Sequence, residues 1–442
     1  MSEKNLVRRV FGLDSLLPTL FAISFLITVF FKLDWWRDRL LDQTAFVSWS
    51  ALVGLQLVIY AVAWRYLLCR GFVWAAPSTL TWQDFTGDNR TRAVSGRLWA
   101  VWSTLVVVLA YLTAFVSALH RAPPEVWYAG GALLGTSALV SLALARKEVL
   151  SRWAGTGWPV GLATLGVLVT TLDIPVTALY PVAALMGIAA VLAWRGTGPL
   201  LRPTVASAGR GLLVETWAGR VTRSMALSFI DPIMMMPSAT SVGGRPLRRT
   251  VLPRLAWLGV RGRARYVGAS VLVAVAVTSI RVAMPGLPEV ALVAAGGYLA
   301  LIPFAGGLGE LWNSAGRRRW VGSSDLAVRA AHAAVLTGFT TAWGVLLASI
   351  FLLFGVSLSS LSWWALALVP ASAIRTVTRP PISYDVVGVV DTPFGMVPTG
   401  LVKQTARGPD CGMIGACLLI LMPLGPWTLV LVAATVVWGL LR

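Results

Sequence analysis

Residues 245–268, RPLRRTVLPRLAWLGVRGRARYVG, contain seven arginines and lead directly into an apolar run at residues 266–282. Apolar residues recur between the arginines at helical spacing, which predicts an amphipathic helix that lies on a membrane surface and begins or kinks at Pro253. Lys and Arg beside a short loop keep that loop on the cytoplasmic face during membrane insertion. The stretch therefore predicts the cytoplasmic side of a multi-pass membrane protein.

The whole chain alternates between apolar runs and charged gaps. Its 57% of hydrophobic and 12% of charged residues exclude a water-soluble domain with an ordinary surface. The formal charge of +19 accumulates in every second gap, so we expect both termini in the cytoplasm and an even number of spans. We predict an all-α polytopic membrane protein with about twelve transmembrane helices, at residues 15–31, 45–68, 98–119, 127–145, 156–172, 176–193, 266–282, 289–305, 331–354, 360–374, 412–424 and 426–441.

A break in the longest gap divides the chain into two halves with a similar layout. We predict a first six-helix half at residues 1–197, a basic cytoplasmic linker with the amphipathic helix at 198–265, and a second six-helix half at 266–442. The second half includes a Pro/Gly-rich cytoplasmic segment at 375–411 that has no equivalent in the first half. Internal duplications of this kind place a substrate route at the interface between the halves.

Catalytic chemistry is not indicated within the predicted spans. Ionisable residues in or near them lie close to span ends, which disfavours a mid-depth ion site and coupling to an ion gradient. The chain has no Walker A motif, so we expect no catalytic, cofactor-binding or metal-binding residues, and ATP and Mg²⁺ only in a separate partner. Membrane lipids explain the basic charge better than nucleic acid does, because the charge follows the predicted topology.

Two cytoplasmic gaps of medium length, at residues 78–97 and 308–328, follow the second predicted span of each half. They mix aromatic and acidic residues, a combination that suits a docking interface for a cytoplasmic ATPase. A solvated loop tucked against lipid is an equally weighted interpretation. The candidate coupling residues are Trp82, Asp84, Phe85, Asp88, Glu310, Trp312, Trp320 and Asp325.

The first predicted outer loop supports an alternative, enzymatic interpretation. Asp34, Asp38 and Asp42 are four residues apart, on one face if helical. Polytopic glycosyltransferases that use lipid-linked sugars carry a catalytic carboxylate in such a loop. We favour an interfacial helix with internal charge pairs, because the other outer loops are too short to complete a sugar site.

The Pro/Gly-rich segment ends in TPFGMVPTGLVKQTARGPD, residues 392–410, followed by two closing spans. This run resembles the end of a family of large multi-span proteins of GC-rich bacteria that are usually encoded beside ABC ATPase subunits. The span layout of each half also resembles exporters of the ABC-2 type. The residues that carry the family resemblance are Thr392, Pro393, Gly395, Pro398, Gly400, Gly408, Pro409 and Asp410.

The resemblance implies the transmembrane subunit of a bacterial ABC transporter in the plasma membrane. Its partners would be cytoplasmic ATPase subunits, in two copies. It names no substrate. We expect export, because nothing in the sequence looks built to receive the binding protein that usually feeds an importer, and the apolar composition favours a hydrophobic or amphipathic cargo. A secondary transporter or lipid flippase without an ATPase remains the first alternative, and the glycosyltransferase the second.

Overall fold

A computed structural model describes residues 26–41, 48–70, 74–86, 90–146, 152–195, 210–228, 251–380, 389–392, 395–398, 406–422 and 425–441, together with positions 24, 236, 239, 240 and 404. The first half contains α1 (Leu33–Leu40), α2 (Trp49–Arg70), α3 (Pro77–Thr86), α4 (Arg90–Leu119), α5 (Pro124–Arg146), α6 (Arg152–Thr171) and α7 (Leu179–Arg195), which follows a 3₁₀ turn, Val176–Ala178.

The linker and the second half continue in the same manner. The linker contains α8 (Arg210–Ser228) and α9 (Leu252–Arg261), which has Pro253 in its first turn. The second half contains α10 (Val267–Ala283), α11 (Glu289–Trp312), α12 (Ala315–Val321), α13 (Asp325–Leu353), α14 (Ser360–Val377), β1 (Val389–Thr392), β2 (Gly395–Pro398), α15 (Pro409–Leu421) and α16 (Pro426–Leu441).

Helices occupy eleven of the twelve predicted apolar runs, and the remaining run, 15–31, lies mostly outside the described residues. Six helices in the described part are long and apolar enough to cross a membrane, a composition typical of a multi-pass membrane protein. They are Trp99–Leu119, Pro124–Leu144, Val176–Arg195, Ala264–Ala283, Glu289–Trp312 and Asp325–Leu353. The full number of spans and the orientation of the termini stay predictions.

The described residues depart from helix in the Pro/Gly-rich segment, where β1 and β2 form an antiparallel hairpin. Val389 pairs with Pro398 and Thr392 with Gly395. The turn signals in this segment predicted only that a long helix is impossible there, and the hairpin is one structure that satisfies them.

Glycine sets the closest helix contact of the first half, between α2 and α6. A Cβ atom on Gly54 would lie 2.5 Å from the carbonyl oxygen of Gly166, and one on Gly166 would lie 2.7 Å from that of Gly54. Helices in a membrane associate through van der Waals packing, so small residues at a crossing allow the backbones to approach. The two halves meet where α2 packs against α10.

Several contacts recur between equivalent helices of the two halves, although α14 packs against α15 whereas the equivalent pair, α5 and α6, makes little contact. In the first half α2 contacts α4, α5 and α6, and α5 also contacts α7. In the second half α11 contacts α13, α14 and α15, and α14 also contacts α16. The halves differ in which helices pack most extensively. α2 packs most extensively against α6, whereas α11 packs most extensively against α14.

Candidate coupling site

Contacts of α3 with α8, of α2 with the residues after α9, and of those residues with the last turns of α11 place α3, α8, α9 and α12 at one end of the bundle, here named the linker side. On this side the ring of Trp312, the last residue of α11, is flanked by two arginines. The guanidinium carbon of Arg318 in α12 lies 4.8 Å from the ring centroid, and that of Arg329 in α13 lies 4.4 Å from it. Arg318 also pairs with Asp325 at 3.3 Å. Trp312 therefore ties the short helix α12 to both long helices that flank it.

The first half has a tryptophan in the equivalent place, Trp74, between α2 and α3. The guanidinium carbon of Arg97 in α4 lies 5.9 Å from its ring centroid, and that of Arg220 in α8 lies 4.0 Å from it. Arg97 also donates a hydrogen bond from Nη1 to the carbonyl oxygen of Trp74. In each half one arginine thus comes from the next long helix; the second comes from the linker in the first half and from the short helix in the second.

Linker helix α8 covers one face of the short helix α3. Arg210 donates to Asp84 and to the hydroxyl of Thr81, both at 3.0 Å, and the N–H of Ala75 donates to the carbonyl oxygen of Leu213. A small apolar cluster lies between them, formed by Ala75, Leu80 and Leu213. On the opposite face of α3, Trp82 is 72% exposed and Phe85 is 82% exposed.

The second short helix, α12, has well-defined ends and an outward tryptophan. The hydroxyl of Ser314 caps its beginning by accepting the N–H of Arg317, and Gly322, with φ of 66°, ends it in the left-handed conformation. Val321 is buried, whereas Trp320 is 90% exposed. Both short helices therefore follow the second predicted span of their half, α2 or α11, and present a large aromatic side chain away from the bundle.

An ion pair between the buried Arg263, two residues after α9, and the half-exposed Glu310 connects the end of this surface helix to the last turns of α11. Arg263, whose side chain is 1% exposed, donates to the carboxylate of Glu310 and, at 3.1 Å, to the carbonyl oxygen of Gly259. Glycine makes this approach possible, because a Cβ atom on Gly306 would lie 2.8 Å from Nε of Arg263 and one on Gly307 would lie 2.9 Å from Cα of Gly259. A displacement of α11 near Trp312 must therefore move α9 as well.

The structure separates the predicted coupling residues into two groups. Trp82, Phe85 and Trp320 are exposed on the short helices. Asp84, Asp325, Glu310 and Trp312 instead make contacts within the chain that hold these helices in place. Asp88 lies outside the described residues. The docking role itself stays a prediction.

Sequence reasoning missed the arginines that complete the two tryptophan clusters and the ion pair: Arg97, Arg220, Arg263, Arg318 and Arg329. Arg263 is one of seven arginines in residues 245–268, and its spacing does not distinguish it from the others. The sequence signal for this ion pair lies in α11, where two adjacent glycines, Gly306 and Gly307, precede Glu310 by about one helical turn.

The motif residues at the end of the Pro/Gly-rich segment join three helices. Asp410 accepts hydrogen bonds from the N–H groups of Gly408 and Cys411 at 2.7 Å, and its carboxylate pairs with Arg375 of α14 at 3.3 Å. The guanidinium carbon of Arg375 lies 4.1 Å from the ring centroid of Trp438 in α16. Pro409 occupies the first turn of α15, where its missing N–H is tolerated.

Glycine is required at position 408, where φ is 114° and a Cβ atom would lie 2.0 Å from the hydroxyl oxygen of Thr376. Of the other motif residues, Thr392, Gly395 and Pro398 lie in the hairpin. Pro393 and Gly400 fall outside the described residues.

Asp34 and Asp38 of the first predicted outer loop lie in α1, at the end of the bundle opposite to the linker side. Asp34 in α1 pairs with Arg37 and, at 3.7 Å, with Arg121, and Arg37 also donates to the carbonyl oxygens at the end of α4. Asp42 lies outside the described residues. This arrangement fits a helix docked on the bundle end.

Comparison of the chain with protein-family models, curated proteins and solved structures gave no match in any of the three.

Proposed function

We propose that the chain is the transmembrane subunit of an ABC transporter of the exporter type, and that α3 and α12 are the docking helices for its ATPase subunits. The observation that carries this proposal is the matched placement of two short helices that expose Trp82 with Phe85 and Trp320. Aromatic anchors surrounded by polar residues are the side chains that contribute most to protein interfaces. Two such sites, one in each half, fit two copies of the ATPase.

A push on α12 would reach the long helices through Arg318 and Trp312, and would reach α9 through the pair of Arg263 with Glu310. A push on α3 would reach α8 through Arg210 and the linker cluster. The two halves meet at α2 and α10, so unequal displacement of the short helices would shift one half against the other. This is the motion that alternating access needs.

We further propose where the chain lies in the cell and what it binds. The linker side faces the cytoplasm of a bacterium, the helices number about twelve, and both termini are cytoplasmic, because the positive charge of the chain is concentrated there. ATP and Mg²⁺ bind to the partner ATPase, so this chain is not itself an enzyme. The cargo is a hydrophobic or amphipathic molecule that leaves the plasma membrane or crosses it.

A secondary transporter or lipid flippase is the second candidate. The observation that favours it is the largely buried ion pair of Arg375 with Asp410, which joins the linker-side ends of α14 and α15, because ion-coupled carriers keep ionisable pairs among their helices. In that case the chain would purify without an ATPase and its transport would stop when the proton gradient is collapsed.

Co-purification tests the first candidate against the second. The full chain, purified from membranes of its own host, should bring with it an ATPase that mass spectrometry identifies by a Walker A peptide. The double substitution Trp82→Ala and Trp320→Ala should reduce its recovery at least about fivefold, because interface aromatics contribute more than about 1 kcal/mol each. Trp427, 74% exposed at the opposite end of the bundle, provides the matched control Trp427→Ala.

A further inference from the structure

Gln56 is a buried polar residue in the middle of α2. It lies seven residues after Trp49, about 10 Å along the helix, and it is 6% exposed. Its Nε2 donates a long hydrogen bond of 3.5 Å to the hydroxyl of Ser117 in α4. Its carbonyl oxygen, Oε1, has no hydrogen-bond partner among the described residues. A hydrogen-bond acceptor is thus left unsatisfied where little water can reach it.

Two crevices meet at this side chain. One lies between α2 and α5, and the other lies between α2 and α4. The second has room for about one water molecule, and the first is narrower. The residues around the first are Val53, Leu57, Tyr60, Gly130, Leu133 and Leu134, and those around the second are Leu55, Ile59, Leu109, Leu112, Thr113 and Val116. None of these lining residues is charged.

Gly130 of α5 allows the Gln56 amide to point between the helices. A Cβ atom at position 130 would lie 2.3 Å from Oε1 of Gln56, which would force the amide away. An unsatisfied carbonyl oxygen in an apolar interior lowers stability, and leucine would fill the same space without that loss. Polar side chains that face the interior of a membrane bundle mark substrate pathways.

We propose that Gln56, with Ser117 and Gly130, is the polar contact of a substrate site in the first half, seen here in its closed form. This inference rests on the proposed transport function. The free atom is an acceptor, so the substrate offers a donor, a hydroxyl or an amide N–H. The walls are apolar and carry no charge, so the substrate is a neutral amphipathic molecule. Entry requires that α4 or α5 move away from α2 within the first half, so the substrate reaches the site in a minor open state that the free chain populates without ATP.

Photolabelling with 3-azioctanol, a neutral eight-carbon alcohol that carries a photoreactive diazirine, tests the site directly. The full chain in lipid nanodiscs, without ATPase or ATP, should be labelled at the residues of the two crevices. Excess 1-octanol should compete, whereas n-octane, which has no hydroxyl, should not. Gln56→Leu should reduce this labelling about fivefold or more, because the hydrogen bond to the alcohol is lost. Thr136→Val, a change in α5 that lies outside both crevices, should leave it unchanged.

Gly130→Ala provides a second variant that retains the amide but displaces it, and it should reduce the labelling as Gln56→Leu does. Equal labelling of the wild type and both variants overturns the proposal. If Gln56→Leu then also has a higher melting temperature than the wild type, the role of Gln56 is to bind a water molecule or to pack between the helices. The assay contains no ATPase, so its failure leaves the docking proposal intact. If the crevices are labelled but no ATPase co-purifies with the chain, the substrate site is supported and the docking proposal is rejected.

Discussion

Trp74 and Trp312 occupy equivalent positions in the two halves: each lies three residues before the short helix of its half, with an arginine of the next long helix within 6 Å of its ring centroid. The partner arginines, Arg97 and Arg329, are eight residues and five residues into their helices. Two chain segments with little sequence identity thus build the same contact at the same step of the fold. We regard this pair as the clearest structural sign of an internal repeat.

Removing the ring of Trp312 should loosen α12 without removing the exposed docking surface. We expect Trp312→Leu to lower the free energy of unfolding by about 1–3 kcal/mol, because two cation–π contacts and part of an aromatic packing surface are lost. Thermal unfolding in detergent measures this change. Trp427→Leu, at an exposed position, is the control and should change the melting temperature little. A melting temperature unchanged by Trp312→Leu would show that the contacts of Trp312 with Arg318 and Arg329 do not stabilise the fold.

The ion pair of Arg263 with Glu310 should respond unequally to the loss of each partner. Arg263 is buried, whereas the carboxylate of Glu310 is half exposed and can be hydrated when alone. We therefore expect Glu310→Gln, which removes this carboxylate from a buried guanidinium, to destabilise the fold by about 2 kcal/mol more than Arg263→Met does. Unfolding of both variants and of the double variant measures the coupling. Equal effects of the two single changes would contradict the buried placement of Arg263.

The glycine contact between α2 and α6 offers a matched pair of substitutions in one helix. Gly166→Ala would place a methyl group 2.7 Å from a backbone oxygen of α2, so we expect a loss of at least about 2 kcal/mol. Gly161→Ala, in the same helix, meets no atom within 4 Å and should stabilise the helix by up to about 1 kcal/mol. If Gly166→Ala were also neutral or stabilising, the close crossing of these helices would be wrong.

His120 should make the stability of the chain depend on acid pH. It lies in the turn after α4, opposite the linker side, and burial lowers its pKa from 6.5 to about 4, opposed by a hydrogen bond with the backbone of Ala283 and aided by the charge of Arg37. Between those values the unfolded state binds more protons than the folded state, so stability falls as pH drops from 6.5 to 4 and the His120 contribution is constant below that.

We expect this loss to be about 1–2 kcal/mol, less than the full shift gives, because the ring is only partly buried. The variant His120→Asn, which cannot titrate, should lose correspondingly less stability over the same range. Denaturation of both proteins at several pH values measures the difference, and parallel pH profiles would refute the burial of the ring.

The apolar runs predicted most helices of the described part, because burial in lipid needs long stretches without charge and leaves a plain pattern in the sequence. The hairpin at 389–398 could not be predicted, since Pro and Gly exclude helix without specifying which strands pair. Trp82 and Trp320 were candidate docking residues because aromatic and acidic residues are mixed around them, but Trp312, chosen on the same ground, packs against arginines instead of lying exposed. The contacts of Trp74 and Arg263 could not be predicted, because they depend on where separate helices cross, and nothing in the local pattern of one helix encodes that.

Site-specific crosslinking tests the central claim most directly. A photoreactive benzoylphenylalanine, incorporated at position 82, 320 or 427 of the full chain and irradiated in cells, reports what touches each exposed site. We predict that positions 82 and 320 form a covalent product containing an ATPase with a Walker A peptide, and that position 427 does not. Crosslinks at 82 and 320 to lipid alone, or an ATPase crosslinked equally well at 427, would contradict the assignment of α3 and α12 as docking helices.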